Sequence, residues 1–133
     1  MHLHIRGDSL VPDEVTALLQ CAPGRAEQKG KPVPRKDGRP ERLARTGCWT
    51  RSLIPEETDE WDCGEAILVL LGQLSSSVGI WKTLGDSYRI DISVGLTMTT
   101  ANKGFSLSPH VMAYLAERGI ELGFDVYSEA APS

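Results

Sequence analysis

The sequence predicts an α+β fold, a mostly antiparallel sheet with helices packed on one face. Three observations point to it. Between residues 88 and 98, Tyr88, Ile90, Ile92, Val94, Leu96 and Met98 alternate strictly with Arg89, Asp91, Ser93, Gly95 and Thr97, as in a half-buried strand of an antiparallel sheet. Upstream, Ile67, Leu70, Leu71, Leu74, Val78 and Trp81 recur at helical spacing, an apolar stripe that needs a second layer to cover it. Finally, Gly7-Asp8-Ser9-Leu10-Val11-Pro12 returns almost intact as Gly104-Phe105-Ser106-Leu107-Ser108-Pro109. Proline is tolerated in the first turn of a helix, so one strand-to-helix corner is expected twice, a pseudo-duplication.

Residues 2–6 alternate, with Leu3 and Ile5 on one face, and read as a short strand. A short helix follows over residues 12–20, with Asp13 and Glu14 in its first turn, where the helix dipole favours negative charge. Residues 24–47 show no periodicity and contain four glycines and three prolines, which predicts a long loop, in part a hairpin. The chain returns as a strand over residues 48–54. Residues 59–84 read as helix, interrupted near Ser75-Ser76-Ser77 and Gly79, with acidic residues at the start. After the 88–98 strand come a short strand over 103–107 and a helix over 109–118. Ser108 is expected to cap that helix and Gly119 to end it. Leu122, Phe124 and Val126 mark a closing strand, and 128–133 a flexible tail. The order is β-α-(loop)-β-α-β-β-α-β, one domain over residues 1–127. Trp81, Tyr88, Phe105 and Phe124 lie on the apolar stripes and are expected in the core.

At 133 residues, with 41% apolar and 24% charged, the chain has ordinary composition for one globular domain. Cys21, Cys48 and Cys63 form no CxxC pair, so a reducing, cytoplasmic setting is expected, with the thiols packed as small hydrophobes. The longest apolar run is residues 66–71, far short of the roughly 20 residues of a membrane helix.

Charge is segregated. Residues 25–45 hold eight of the fourteen Lys and Arg and carry a net +5, in a chain whose net charge is −4. Such a segment neutralises phosphates or pairs with an acidic protein partner. A sequence pI near 5.3, and no aromatic residues interleaved with the cations, argue for the protein partner over nucleic acid. Tryptophan and arginine are favoured interface anchors, so Arg35, Lys36, Arg39, Arg42 and Trp49 are the expected partner-binding residues.

Catalytic signals are sparse. Gly7-Asp8-Ser9-Leu10 spells the nucleophile block of the GDSL hydrolases, which would make Ser9 the nucleophile of a small serine hydrolase. An unassisted serine is a poor nucleophile, and the late histidine His110 has Leu107, not Asp, three residues before it. His2 and His4 share a strand face and supply two metal ligands at most, with Asp125 or His110 as the nearest candidates for a third. Arg6-Gly7-Asp8 reads as a strand end. No catalytic, cofactor-binding or metal set is expected.

The C-terminal block Gly104-Phe105-Ser106-Leu107-Ser108-Pro109-x-x-Met112-x-x-Leu115-x-x-x-Gly119-Ile120-x-Leu122-x-Phe124-Asp125-Val126-Tyr127 resembles the ending of a bacterial domain-of-unknown-function family, number 4279. The resemblance extends to Trp49-x-x-Ser52 after a charged loop, and to the opening strand followed by Pro12. The chain departs from that family's pattern in having no histidine at the start of the long helix. The resemblance implies a fold unit and a bacterial or phage setting, not a reaction. Together these readings give a cytoplasmic, non-enzymatic protein-binding module of inhibitor or immunity type. The alternatives are a hydrolase using Ser9 and nucleic-acid binding through residues 25–45.

Overall fold

A computed structural model describes residues 1–35, 37–54, 62–98 and 104–128. Strands β1 (His2–Gly7), β2 (Arg25–Glu27), β5 (Gly47–Ser52), β6 (Arg89–Met98) and β7 (Glu121–Ser128) form one sheet in the order β2-β5-β1-β6-β7. The β6–β7 pair is parallel and every other neighbouring pair is antiparallel. Helices α1 (Pro12–Leu19), α2 (Cys63–Gly72), α3 (Val78–Ser87) and α4 (Pro109–Glu117) accompany it, and a two-residue hairpin, β3 (Pro32–Val33) with β4 (Arg42–Leu43), stands apart. The architecture is α+β, as the alternation and the helical stripe predict.

The core lies between the sheet and the helices. Leu3 and Ile5 of β1, Trp49 of β5 and Ile92 of β6 meet Leu19 of α1, Ile67, Leu70 and Leu71 of α2 and Trp81 of α3, all fully buried. Two buried indoles find polar partners: Trp49 Nε1 donates to Thr16 Oγ1 at 3.1 Å and Trp81 Nε1 to the Ser75 carbonyl at 2.9 Å. Gly7 pairs with Gly47 at the end of the β1–β5 ladder. A Cβ at Gly47 would lie 2.7 Å from the Gly7 carbonyl and 2.9 Å from Leu10 Cβ, so this corner closes only around glycine.

The helix expected over 59–84 is two helices. The break falls at the serine run, where the Ser77 side chain accepts from Ile80 N–H and starts α3; Gly79 sits inside α3. Asp62 caps α2 by accepting from Glu65 N–H at 3.0 Å, and Ser108 caps α4 through Val111 N–H at 3.2 Å. Gly119, at φ +67°, ends α4 as expected. Arg118 is buried there, its guanidinium 3.4 Å from the Tyr114 ring centre and donating to the Tyr114 and Ser76 carbonyls.

Four expectations need correction. Residues 104–107 form no strand. Parallel neighbours require a crossover, and here the chain must leave the sheet to reach α4. The two Gly-to-Pro corners are therefore not equivalent: the first follows a strand and buries Leu10, whereas a Cβ on Gly104 would meet nothing within 4 Å. Strand β6 is antiparallel to β1 only, its other neighbour being parallel. Phe105 and Phe124 are 46% and 39% exposed rather than core, with ring centres 5.4 Å apart; Phe124 lies on the edge strand β7 and Phe105 in the segment before α4, outside any strand. Trp61, residue 103 and residues 129–133 of the expected tail lie outside the described residues.

Candidate functional site

Because side chains alternate across a strand, burying Leu3, Ile5, Trp49 and Ile92 sends their neighbours to the opposite face. The helices leave that face open. The register sets its side chains in rows across the strands. One row runs Glu27, Cys48, Arg6, Arg89; the next runs Arg25, Thr50, His4, Asp91, Glu121; a third runs Ser52, His2, Ser93, Gly123.

The middle of this face is a hydroxyl–imidazole network. His4 Nδ1 lies 3.2 Å from Thr50 Oγ1 and His4 Nε2 lies 3.3 Å from Ser93 Oγ, while His2 Nδ1 lies 2.6 Å from Ser52 Oγ. The two imidazole rings are 5.9 Å apart. Burial lowers the His4 pKa from its ordinary value, and Arg6 adds to this, against an opposing pull from Asp91; near neutral pH His4 is therefore uncharged. Asp91 Oδ1 is buried with no hydrogen-bond partner among the described residues.

Beside this network lies a shallow depression of about 600 Å³, lined by His2, His4, Arg6, Gly24, Arg25, Cys48, Thr50 and Ser52. No carboxylate lines it. Glu27 sits just outside and binds both Arg25, at 3.0 Å, and Arg42. Its burial would raise the carboxyl pKa, but the two guanidinium groups outweigh that and lower it. Burial and the Glu27 charge push the Cys48 thiol up, which keeps it protonated and unsuited to nucleophilic attack. Charges on the face are largely paired: Arg25 binds Glu27, and Arg89 of β6 binds Glu121 of β7 at 3.3 Å, whereas Arg6 has no ion pair among the described residues.

The arrangement is poor for acyl transfer. The strands β5, β1 and β6 each have a strand on both sides. Their backbone N–H groups are taken by the ladder, leaving few to stabilise an oxyanion. Ser9 lies exposed in the turn after β1, and the three histidines are engaged elsewhere, His110 with its ring 6.4 Å from Tyr114. Gly7 of the same block is explained by packing, since a Cβ there would lie 2.7 Å from the Tyr88 ring. Among the described residues no group of three His, Cys, Asp or Glu is placed to hold a metal.

Of the residues expected to bind a partner, Arg35, Arg39 and Arg42 share the β3–β4 hairpin, and Trp49 stands apart from them. Trp49 is 0% exposed and is a core residue, not a surface anchor; its indole fills the space between sheet and α1. Arg35 and Arg39 are exposed in the turn between β3 and β4, where Arg39 Nε pairs with Asp37 at 3.0 Å. Arg42 is held on Glu27, and Lys36 lies outside the described residues. Lys29 pairs with Asp8 at 3.3 Å. Of these pairs only Lys29–Asp8 draws an acid from outside residues 25–45, so the segment keeps most of its net positive charge. The open-face rows were missed because their members come from positions 2 to 123; the alternation in β1 and β6 was the available signal.

The sequence profile of the family described as Domain of unknown function (DUF4279) matches residues 1–129. No curated protein and no solved structure matches the chain.

Proposed function

The chain belongs to this family, and from that premise we propose that it is a non-enzymatic protein-binding module, of inhibitor or immunity type, that docks its partner on the open face of the sheet. The observation that carries the reading is that face: polar side chains from all five strands, held in register and left uncovered among the described residues. On it Arg6 and Asp91 have no ion pair among the described residues, so a partner presenting an acidic group toward Arg6 and a basic one toward Asp91 is matched, and like-charged partners are rejected. The hairpin carrying Arg35, Arg39 and Arg42 flanks β2, to which Arg42 ties it through Glu27. Three free thiols suit a reducing, cytoplasmic setting. No helix among the described residues is long and apolar enough to cross a membrane.

The test is affinity capture of the tagged chain from its native lysate, with nuclease, in parallel with Ser93→Arg and Thr50→Arg. These place a bulky charge in the middle of the face. A nuclease-resistant protein retained in near-stoichiometric amount by the wild type, and lost from both variants at unchanged circular dichroism, is the expected result. Retention that ignores both substitutions, or retention of nucleic acid alone, overturns it.

A further inference from the structure

We infer that the free edge of β7 docks a second copy of this chain, antiparallel and edge to edge, about a two-fold axis at Phe124. Among the described residues β7 has a neighbour on one side only. It is eight residues long, and its exposed side chains include Phe124, Val126 at 61% and Tyr127 at 61%, with Phe105 beside Phe124. A long apolar edge of this kind pairs with another strand unless something blocks it. The opposite edge of the sheet is blunted: β2 has three residues, and Val33 and Pro34 of the hairpin border it. Pairing therefore closes as a dimer instead of growing into a fibre.

Self-complementarity is what selects a second copy as the occupant. A two-fold axis perpendicular to the sheet keeps both helix layers on one side, and it pairs residues equally spaced about its centre. Centred on Phe124, it sets Phe124 against Phe124 and Leu122 against Val126 on the helix-side face. On the open face it sets Gly123 against Asp125 and Glu121 against Tyr127. No like charges oppose one another. Moving the centre to Gly123 puts Glu121 opposite Asp125, and moving it to Asp125 puts that carboxylate opposite itself; like charges directly across a strand pair are destabilising. The Phe124 register thus pairs seven residues of the strand, matches apolar with apolar at Leu122, Phe124 and Val126, and separates both acids.

Sedimentation equilibrium of the full chain tests the inference. The expected mass is twice the 14.5 kDa of one chain. Phe124→Asp, which sets two carboxylates against each other on the axis, should weaken the dimer by about tenfold or more with circular dichroism unchanged. Should that variant fail to fold, Phe124→Cys gives a second reading: mild oxidation links two copies through residue 124, while Tyr127→Cys, facing Glu121, links far more slowly, and the wild type with its three native thiols serves as the control. A wild type that is monomeric at every concentration, a dimer that survives Phe124→Asp, or cross-linking through residue 127 as fast as through 124 overturns the inference.

Discussion

The covered face and the open face of the sheet are written on the same strands, one residue apart. On β1, Leu3 and Ile5 are buried while His2 and Arg6 are exposed; on β5, Trp49 is sealed in the core between half-exposed Cys48 and Thr50. The covered face is apolar and closely filled, so removing atoms there leaves a void that its neighbours only partly close. On the open face, water replaces whatever is removed. The difference teaches that a residue's parity on its strand, more than its chemical type, decides whether its loss is felt as unfolding or as lost recognition. Tryptophan is a favoured interface residue, yet Trp49 falls on the covered parity and serves the core.

The sharpest way to break this comparison is at Trp49 itself. Trp49→Ala should cost about 3–5 kcal/mol, measured from the urea unfolding midpoint. Trp49→Phe keeps most of the burial and gives up the bond to Thr16, for about 1 kcal/mol. A loss below about 1 kcal/mol for the alanine variant would return Trp49 to the surface and weaken the division between faces. Smaller effects belong to the helix ends that frame the covered layer. Asp62→Ala and Ser108→Ala each remove a side-chain acceptor from an otherwise unbonded N–H, for about 1 kcal/mol, with α2 or α4 the first element to show faster amide exchange.

The two faces were not equally legible in the sequence. Strict alternation in residues 88–98 assigns Ile90, Ile92 and Val94 to the core, and Ser108 and Gly119 mark both ends of α4, because these signals are local. The open face depends on which strands are neighbours. His4 meets Thr50 and Ser93 across separations of 46 and 89 positions, and no periodicity carries that information. The same limit explains the basic segment. Its net charge is visible in the residues, but the folding of Glu27 onto Arg25 and Arg42 is a tertiary fact. Phe105 and Phe124 misled for a related reason: an apolar stripe names a face, not how far the helices extend over it.

A gentler probe of the open face is acid. His4 has a folded pKa below its unfolded value, so on acidification the unfolded chain takes up a proton before the folded one does. Stability is therefore full above the ordinary histidine value of about 6.5 and falls as pH drops through it toward the lowered folded value. Glu27 acts in a lower window: its folded pKa is also lowered, so its contribution is present above the ordinary carboxylate range and lost as pH falls through the folded value. Unfolding midpoints at about pH 7 and about pH 5.5 should separate the two. His4→Gln should flatten the decline in that interval and leave the steeper loss at lower pH. An undiminished decline in the variant would assign the upper window to another group.

The smallest expected change in stability lies at the rim of the open face, and it is the most telling for function. Ser52→Ala removes an exposed hydrogen bond to His2, and Arg6→Ala removes an exposed guanidinium with no ion pair among the described residues. Each should shift stability by no more than about 0.5 kcal/mol, since water takes the vacated place. A polar surface that holds the fold together would not be free to hold a partner. If either substitution costs as much as a core truncation, the open face is structural and its availability for docking is lost. If both are near neutral while capture of the partner falls, the side chains are kept for what they meet outside the molecule.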